Sequence, residues 1–295
     1  MWPFKATVGD SFERTLEVSG PVKLEVETGS GDISVKRGPE GQVRVRARFE
    51  VRAGGEEEAR RLAAQIKADP PIKQLGKTIK IGDLEKYRAA ALLRHPSVVM
   101  EFDIEAPAET AVELDSGSGD QRVSGLKGPV SADTGSGDVE ISEIEGEVKI
   151  DTGSGSVAAR DIAGDIEVDA SSGDVRLARI GGDIDIDVSS GDVALKDVRG
   201  ALEVDAGSGD VTVDSTIAAG TSWEIDTGSG DVSLALPRGT RASIRAETGS
   251  GEVESDFPLA TSRKGEIGSS EDAGEEGEPR IRVETGSGDI RIKAS

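Results

Sequence analysis

The stretch Thr134–Val193 reads TGSGDVEISEIEGEVKIDTGSGSVAARDIAGDIEVDASSGDVRLARIGGDIDIDVSSGDV. It contains four near-copies of one short motif, Ser-Gly-Asp with its flanking residues, which we call the phrase. The position after the last glycine of the phrase recurs at every eighteenth place and is acidic except at Ser156; its members are Asp120, Asp138, Ser156, Asp174, Asp192 and Asp210. The interval then grows to twenty-one places at Asp231 and Glu252. The phrase also occurs at Asp32 and Asp289. A fixed period near twenty residues is typical of a solenoid.

Each period contains two short runs in which apolar and polar residues alternate, which predicts two strands per coil. Because one coil repeats the next, the apolar residues fall into columns that face a shared interior. The predicted columns are Val148/Ile166/Ile184/Leu202/Trp223, Val139/Val157/Val175/Val193/Val211/Val232 and Leu126/Ile144/Ile162/Ile180/Val198. The predicted fold class is therefore all-β, a parallel β-helix with two main sheets, 18-residue coils, and 21-residue coils near the C-terminus.

The chain is predicted to form one continuous solenoid in two portions. Residues 1–106 are the N-terminal portion of the β-helix, with a helical insertion. Residues 107–295 are the regular Ser-Gly-Asp portion, interrupted by an acidic loop at residues 260–279. The segment Gly265–Glu278 has six acids and no base, which predicts that this loop is mobile.

Four segments of the N-terminal portion depart from the regular phrase. Apolar residues at helical spacing over Glu56–Lys67 predict a helix, and Leu84–Arg94 predicts a second short helix. The segments Val43–Val51 and Val98–Ile104 alternate as strands do.

The amino-acid composition excludes several classes of function. The formal net charge of −22 argues against nucleic-acid binding, because phosphates need Lys and Arg. The chain has no Cys, which excludes thiolate chemistry, and no Asn, which favours a thermostable protein. The single His95 has no accompanying nucleophile–base set, so neither an enzyme nor a cofactor is predicted.

The start of the chain has no apolar targeting run, and no window approaches the length of a membrane helix. We therefore expect no integral membrane segment. The expected location is the cytoplasm if the chain is complete, and the cell envelope or surface if a signal sequence was removed.

Three copies of the phrase, Glu27–Ile33, Asp133–Val139 and Glu284–Ile290, and the entry strand Val99–Pro107 resemble a bacterial family. It is a family of β-strand-repeat domains of unknown function that carries an adhesin label. The resemblance covers nearly the whole chain. It implies a right-handed, single-stranded β-helix and no known catalytic residues.

The Ser-Gly-Asp phrase has two interpretations. In the first, Gly supplies a positive φ at the corner, and the Ser and Asp side chains accept hydrogen bonds from N–H groups of the turn. In the second, stacked carboxylates bind calcium. The columns that would form this cation ladder contain Asp133, Asp138, Asp169, Asp174, Asp187, Asp192, Asp205 and Asp210. The sequence favours capping and predicts no metal site, because Asp follows Gly directly and Ser156 interrupts the column.

The two outward faces differ in charge. The face of Asp133, Asp169, Asp187 and Asp205 is strongly acidic, whereas the other is nearly neutral and carries small side chains. A flat surface of this second kind is a plausible contact surface, the alternative being a solvated surface without a partner. The predicted interaction face is Ala158, Arg160, Arg176, Ala178, Ala194 and Lys196.

The strand Ile290–Ile292 comes just before the last residue given, Ser295, which predicts that these two isoleucines form an uncovered C-terminal edge. Such an edge favours a dimer or an end-to-end assembly. The hypothesis for function is thus a non-enzymatic, adhesin-like β-helical scaffold or protein-interaction module that binds a protein partner or itself. The alternative is a calcium-binding cell-surface adhesin.

Overall fold

The computed structural model describes residues 6–84, 96–257, 266–267 and 278–295. The described residues form 26 β-strands and one α-helix, which confirms the all-β fold class. The chain divides into two compact units within strand β11 (Val139–Ile144). We refer to residues 1–141 as unit 1 and to residues 142–295 as unit 2.

Unit 1 contains two sheets and the helix. Its elements are β1 (Ala6–Glu17), β2 (Val22–Thr28), β3 (Ile33–Arg37), β4 (Gln42–Ala53), α1 (Glu56–Ala68), β5 (Ile72–Leu75), β6 (Thr78–Ile81), β7 (Ser97–Ala106), β8 (Thr110–Ser116), β9 (Gln121–Ser124) and β10 (Val130–Thr134). Sheet A has the order β1-β4-β7-β3-β9, and sheet B has the order β10-β8-β2-β6-β5. The strands predicted at Val43–Val51 and Val98–Ile104 are confirmed as β4 and β7.

The predicted helix at Glu56–Lys67 is confirmed as α1. Its apolar residues recur at helical spacing and are buried; they are Ala59, Leu62, Ala63 and Ile66. Three glutamates occupy its first turn and Lys67 its last, so both ends complement the helix dipole. Lys67 also binds the Asp10 carboxylate of β1 at 2.7 Å. The second predicted helix, Leu84–Arg94, lies outside the described residues except for Leu84.

Unit 2 consists of two sheets built from stacked coils. Its elements after β11 are β12 (Val148–Thr152), β13 (Val157–Ile162), β14 (Ile166–Ala170), β15 (Val175–Ile180), β16 (Ile184–Val188), β17 (Val193–Val198), β18 (Leu202–Ser208), β19 (Val211–Asp214), β20 (Ser222–Ser229), β21 (Val232–Leu236), β22 (Ser243–Thr248), β23 (Val253–Ser255), β24 (Glu266–Ile267), β25 (Arg280–Ser287) and β26 (Ile290–Ala294). Sheet A has the order β13-β15-β17-β19-β21-β26-β23, and sheet B has the order β12-β14-β16-β18-β20-β25-β22-β24.

The register of unit 2 follows the period read from the sequence. The strand pairs of sheet A join valines that are 18 residues apart: Val157 with Val175, Val175 with Val193, and Val193 with Val211. In sheet B, Leu202 pairs with Trp223 across the first of the longer periods, and Trp223 is 1% exposed. The predicted apolar columns are confirmed within the unit, because every one of these residues is buried.

One residue per coil adopts a left-handed backbone conformation that the sequence did not reveal. Glu143, Asp161, Arg179 and Asp197 have φ between 54° and 58°. In β13, β15 and β17 this residue interrupts the alternation of the strand, so that two consecutive side chains point outward. The apolar residue that follows them then points into the interior. This explains how the third apolar column, from Ile144 to Val198, plugs the corner between the sheets.

The chain order of the coils is inverted at the end of unit 2. Strand β26 lies between β21 and β23, and β25 lies between β20 and β22. The prediction that Ile290 and Ile292 form an uncovered edge is therefore wrong, because both are fully buried with a strand on each side. The coil β22–β23, which precedes them in the sequence, is the outer one. Part of the predicted acidic loop, Glu266–Ile267, pairs with β22 as β24, and most of the remainder lies outside the described residues.

Charge explains why this order is preferred. Arg291 of β26 contacts Asp231 at 2.8 Å and Asp289 at 2.5 Å. Arg282 of β25 contacts Glu224 of β20 at 3.0 Å. Strand β23 has Glu254 where β26 has Arg291, so stacking β23 on β21 would replace the arginine that binds Asp231 by an acid. A coil rich in arginine thus separates two acidic ones.

The same inversion occurs in unit 1. Strand β3 lies between β7 and β9, and β2 lies between β6 and β8, although β2 and β3 come first in the sequence. Lys23 of β2 contacts Glu113 of β8 at 2.6 Å, and Lys36 of β3 contacts Asp103 of β7 at 3.2 Å. Ion pairs run in both directions here, because Lys80 of β6 contacts Glu25 of β2 at 2.5 Å.

Candidate functional site: the corner ladder and the outer faces

The corner glycine is required by both its backbone angle and its surroundings. Gly191, Gly209 and Gly230 have φ between 138° and 151°, which confirms the predicted positive φ. An ideal Cβ on Gly230 would lie 1.9 Å from the carbonyl oxygen of Gly209 in the neighbouring coil. Any side chain would push the coils apart, so glycine also sets how closely they stack.

The aspartates of the phrase form a ladder that caps the backbone. The N–H of Asp210 donates to Oδ1 of Asp192 at 2.9 Å, and the N–H of Asp231 donates to Oδ1 of Asp210 at 2.9 Å. The bond continues from Asp289 to Asp231 and from Glu252 to Asp289, following the inverted coil order. Each carboxylate therefore accepts a backbone N–H, as the capping interpretation predicts, but the N–H belongs to the next coil and not to its own turn.

A second ladder runs along another corner of unit 2. The N–H of Asp183 donates to Oδ1 of Asp165 at 2.9 Å, and the N–H of Ala201 donates to Oδ1 of Asp183 at 2.8 Å. Two Gly-Asp pairs that lie midway through their coils, Gly164-Asp165 and Gly182-Asp183, thus form a second capped corner.

Arginine two positions after a ladder aspartate binds its other oxygen. Arg176 contacts Oδ2 of Asp174 at 2.7 Å, while Oδ1 of Asp174 accepts the N–H of Asp192. That N–H and the guanidinium hold the pKa of Asp174 below its ordinary value. In the same way, the N–H of Asp289 and then Arg291 lower the pKa of Asp231. These carboxylates are held ionised by protein donors.

In the ladder, one oxygen of each aspartate already accepts a protein hydrogen bond, which makes it less available to calcium. Asp174, Asp192 and Asp210 each accept a backbone N–H. Among the described residues, no group of three or more His, Cys, Asp or Glu side chains could hold a metal ion. The other column of the predicted cation ladder lies elsewhere: Asp169, Asp187 and Asp205 point outward from sheet B.

The outer face of sheet B in unit 2 is acidic. It carries one base and nine acids on β12 to β20; they are Lys149, Asp151, Glu167, Asp169, Asp185, Asp187, Glu203, Asp205, Glu224 and Asp226. Partial removal of water, followed by the charge of Glu167, raises the pKa of Asp169. Partial removal of water, followed by the charge of Glu284, raises the pKa of Asp226. The carboxylates on this face repel one another, whereas hydrogen bonds and arginines stabilise the ionised carboxylates of the ladder.

The outer face of sheet A in unit 2 gathers the predicted interaction residues. Ala158 pairs with Arg176 and Arg160 with Ala178, and the next strand adds Ala194 and Lys196. The inverted order adds two bases that the sequence analysis did not place on this face, Arg291 and Lys293. The outward residues of β13 to β23 are Ala158, Arg160, Asp161, Arg176, Ala178, Arg179, Ala194, Lys196, Asp197, Thr212, Asp214, Ser233, Ala235, Glu254, Arg291 and Lys293. Six bases and four acids among these residues give this face a net charge of +2 on a chain of −22.

Sequence reasoning missed two contacts that use residues of the phrase. Buried Thr285 donates its hydroxyl to the carbonyl of Gly230 at 3.1 Å, and Thr248 donates to the carbonyl of Gly288 at 2.9 Å. Asp161 and Arg179, both left-handed, form a two-pronged ion pair at 2.6 and 2.7 Å. The spacing of these opposite charges by one period could have indicated this second contact.

His95, the single histidine, lies outside the described residues, so no chemistry is assigned to it. Across the described part of the chain, no helix has the length and hydropathy that crossing a membrane requires.

The Toastrack DUF4097 family model matches residues 13–181 and 146–293. No curated protein matches the chain. Three solved structures are similar over almost their whole length. A "putative adhesin" from Bacteroides fragilis is 13% identical, with 99% of each chain covered and a TM-score of 0.38. A "putative adhesin" from Parabacteroides distasonis is 11% identical, covering 96% of this chain and 97% of that one, with a TM-score of 0.36. A "putative cell adhesion protein" from Clostridium sporogenes is 13% identical, covering 97% and 100%, with a TM-score of 0.26.

Proposed function

The chain belongs to the Toastrack DUF4097 family, and on this premise we propose that it is a non-enzymatic, adhesin-like interaction module. Its binding surface is the outer face of sheet A in unit 2, and its partner is a protein with an acidic contact surface. The coils act as a scaffold that holds this face flat.

The charge of the face is the observation that carries this proposal. A chain of net charge −22 repels acidic proteins over most of its surface. The sheet A face reverses that sign locally, through Arg160, Arg176, Lys196, Arg291 and Lys293. Complementary charge favours encounter and orients the partner.

The shape of the face supports the same proposal. Small residues alternate with the bases, because Arg176 lies between Ala158 and Ala194, and Ala178 lies between Arg160 and Lys196. A partner can approach the backbone closely at each alanine and contact the bases beside it. The ladder behind the face keeps the coil spacing regular, because each coil caps the next one.

The calcium-binding alternative receives less support. It requires carboxylate oxygens that are open to a cation, whereas ladder aspartates such as Asp174 bind an N–H and an arginine. We therefore propose the interaction function alone.

The test begins with a photo-reactive residue introduced at Ala178, in the middle of the face. Host proteins that cross-link there are identified, and the dissociation constant of the purified partner is then measured. The variant Arg160→Glu/Lys196→Glu should weaken binding by about tenfold or more, because like charges then face each other across the interface.

The matched control is Arg238→Glu/Arg241→Glu, which changes the same total charge in the connection between β21 and β22. This control should leave the dissociation constant within about twofold of the wild-type value. The proposal fails if no protein cross-links from position 178, or if the control weakens binding as much as the face variant does.

A further inference from the structure

The last coil of unit 2 occupies a slot between two earlier coils. On one side, β25 and β26 pair with β20 and β21; on the other, they pair with β22 and β23. Hydrogen bonds join the corner on both sides: the N–H of Asp289 donates to Asp231, and the N–H of Glu252 donates to Asp289. Both walls of the slot therefore precede the coil that fills it along the chain.

The two walls present the same register to this coil. Arg280 pairs with Ser222 on one side and with Ser243 on the other. Ile290 likewise pairs with Val232 and Val253. The slot therefore recognises the phrase itself, and any coil with this phrase and register fits it.

Charge favours the inserted coil, chiefly at the β20–β21 wall of the slot. That wall carries Glu224 and Asp231, whereas the β22–β23 wall carries Glu254 opposite Arg291 but Arg245 opposite Arg282. The inserted coil brings Arg282 and Arg291, which contact Glu224 and Asp231. No other coil of unit 2 carries an arginine at both of these positions among the described strands.

The connection to this coil is long. Residues 256–279 separate β23 from β25 in the sequence. Even the part after β24, residues 268–279, can span about 40 Å when extended. The slot walls are only about 10 Å apart, two strand spacings across a sheet. The connection can therefore deliver the coil to a second molecule as well as to its own.

We propose that the coil β25–β26 exchanges between two copies of this chain, so that each copy's coil fills the slot of the other. The contacts made in the exchanged dimer are identical to those of the monomer, so only the entropy of association opposes it. The exchange does not depend on the proposed interaction face.

The experiment uses the absence of cysteine from the chain. Ala235 of β21 and Lys293 of β26 are directly paired and face outward, at a separation suited to a disulfide. One full-length chain carries Ala235→Cys and another, distinguished by a tag, carries Lys293→Cys. The two are unfolded, mixed, refolded together at high concentration and oxidised.

If coils exchange, a disulfide joins the two differently tagged chains. Its yield should exceed by about tenfold that of the control pair Ala194→Cys with Lys293→Cys, because slot occupancy gives the sulfurs a high effective concentration. Ala194 lies on β17, outside the slot. Sedimentation should show a dimer whose fraction rises with the protein concentration during refolding.

Two results would overturn the proposal. One is a yield for the slot pair no higher than for the control pair. The other is a strict monomer after refolding at every concentration. A double variant in one chain, Ala235→Cys/Lys293→Cys, distinguishes failure to fold from failure to exchange, because it forms an internal disulfide whenever the slot fills within one molecule.

Discussion

The inserted coils of the two units are packed alike but enclosed differently. In unit 1, β2–β3 sits between two later coils, and in unit 2, β25–β26 sits between two earlier ones. The strands on either side of β2–β3 in the sequence, β1 and β4, pair along their full length from Ala6↔Ala53 to Glu17↔Gln42. The chain segment that contains β2–β3 is thus closed at both of its ends by the pairing of β1 with β4.

No such pair encloses β25–β26 in the described residues. The preceding strand, β24, pairs only with β22, through Ala246↔Ile267 and Glu247↔Glu266. Burial and hydrogen bonding therefore do not by themselves decide whether a coil can leave. The connections decide it, and we expect the coil of unit 1 to be locked and that of unit 2 to be exchangeable.

The strongest destabilisation should come from a buried charge in each inserted coil. Ile33→Asp and Ile290→Asp both place a carboxylate at a fully buried site, at a cost of about 3 kcal/mol or more. Hydrogen exchange should show that Ile290→Asp loses protection only from β22 to β26. Ile33→Asp should lose it throughout unit 1.

A result in which both variants lose protection over a whole unit would contradict the distinction between a locked and an exchangeable coil. A surface control on each coil, Ser34→Asp and Lys293→Asp, should leave the protection pattern unchanged, since both side chains lie on the outward face.

A smaller effect is expected from the corner glycines. Gly31→Ala places a Cβ 2.3 Å from the carbonyl oxygen of Met100, and Gly288→Ala places one 2.0 Å from that of Gly230. Each should cost about 2 kcal/mol through overpacking and positive φ, and lower Tm by several degrees. Gly220→Ala is the control, because it shares a positive φ but has no atom within 4 Å of the added Cβ.

The two glycine variants should differ in rate as well as in Tm. Opening of the last coil is measured as thiol labelling of Ile292→Cys, whose side chain is buried while the coil is in place. Gly288→Ala should speed this labelling. Gly31→Ala should not, because it lies in unit 1, far from the slot in the sequence. Equal acceleration by both variants would argue that the two coils open together.

Charge pairs at the slot should have a smaller effect again. Arg291→Gln removes the contacts with Asp231 and Asp289, which are partly exposed. We expect a fall in Tm smaller than that of Gly288→Ala, and faster exchange of the coil between molecules. Both changes should shrink at high salt, where exposed pairs are screened. Thermal melts at two salt concentrations check this, and an effect that is indifferent to salt would argue against an electrostatic preference for the slot.

Acid should have the weakest effect on the slot. The N–H of Asp289 and Arg291 lower the pKa of Asp231 from its ordinary value of 3.8, so its contribution to stability is present above that value and lost as pH falls through the folded-state pKa. Asp226 has the opposite sign: its raised pKa means that protonation relieves the folded state. Hydrogen exchange of β25 and β26, compared with the exchange rate of an unstructured peptide at the same pH, should therefore show faster opening only below about pH 4. In Asp231→Ser, that acceleration should be reduced.

The period predicted most of the fold. Spacing alone located the apolar columns, the corner glycines and the face of Ala158, Ala178 and Ala194, because each coil contacts only its neighbours and repeats their sequence. The inversion could not be predicted in this way, since the phrases at Asp231, Glu252 and Asp289 are nearly the same and any order preserves the columns. Arg282 and Arg291 favour this order of coils through the acids that they contact. Those acids cannot be identified from the sequence before the order is known.

The candidate site was predicted in part. The capping role of aspartate follows from its chemistry, but that Asp192 caps Asp210 of the next coil depends on the stacking distance. The left-handed conformation of Arg179 has no local signal, because arginine rarely adopts it. The sequence did not place the bases Arg291 and Lys293 on the sheet A face, because only the pairing of β26 with β21 brings them there.

Because the 18-residue coils of unit 2 are alike, the length of the unit can change by whole coils. Val157, Val175 and Val193 pair in one register, so removing or duplicating one whole coil here leaves every remaining contact type unchanged. Each added coil lengthens the unit by about 4.8 Å, the spacing of neighbouring strands. It also adds one row to each outer face without disturbing the slot that holds the last coil. A gene segment that encodes a single coil, duplicated or lost in one event, is thus the natural increment by which such a chain can change its reach.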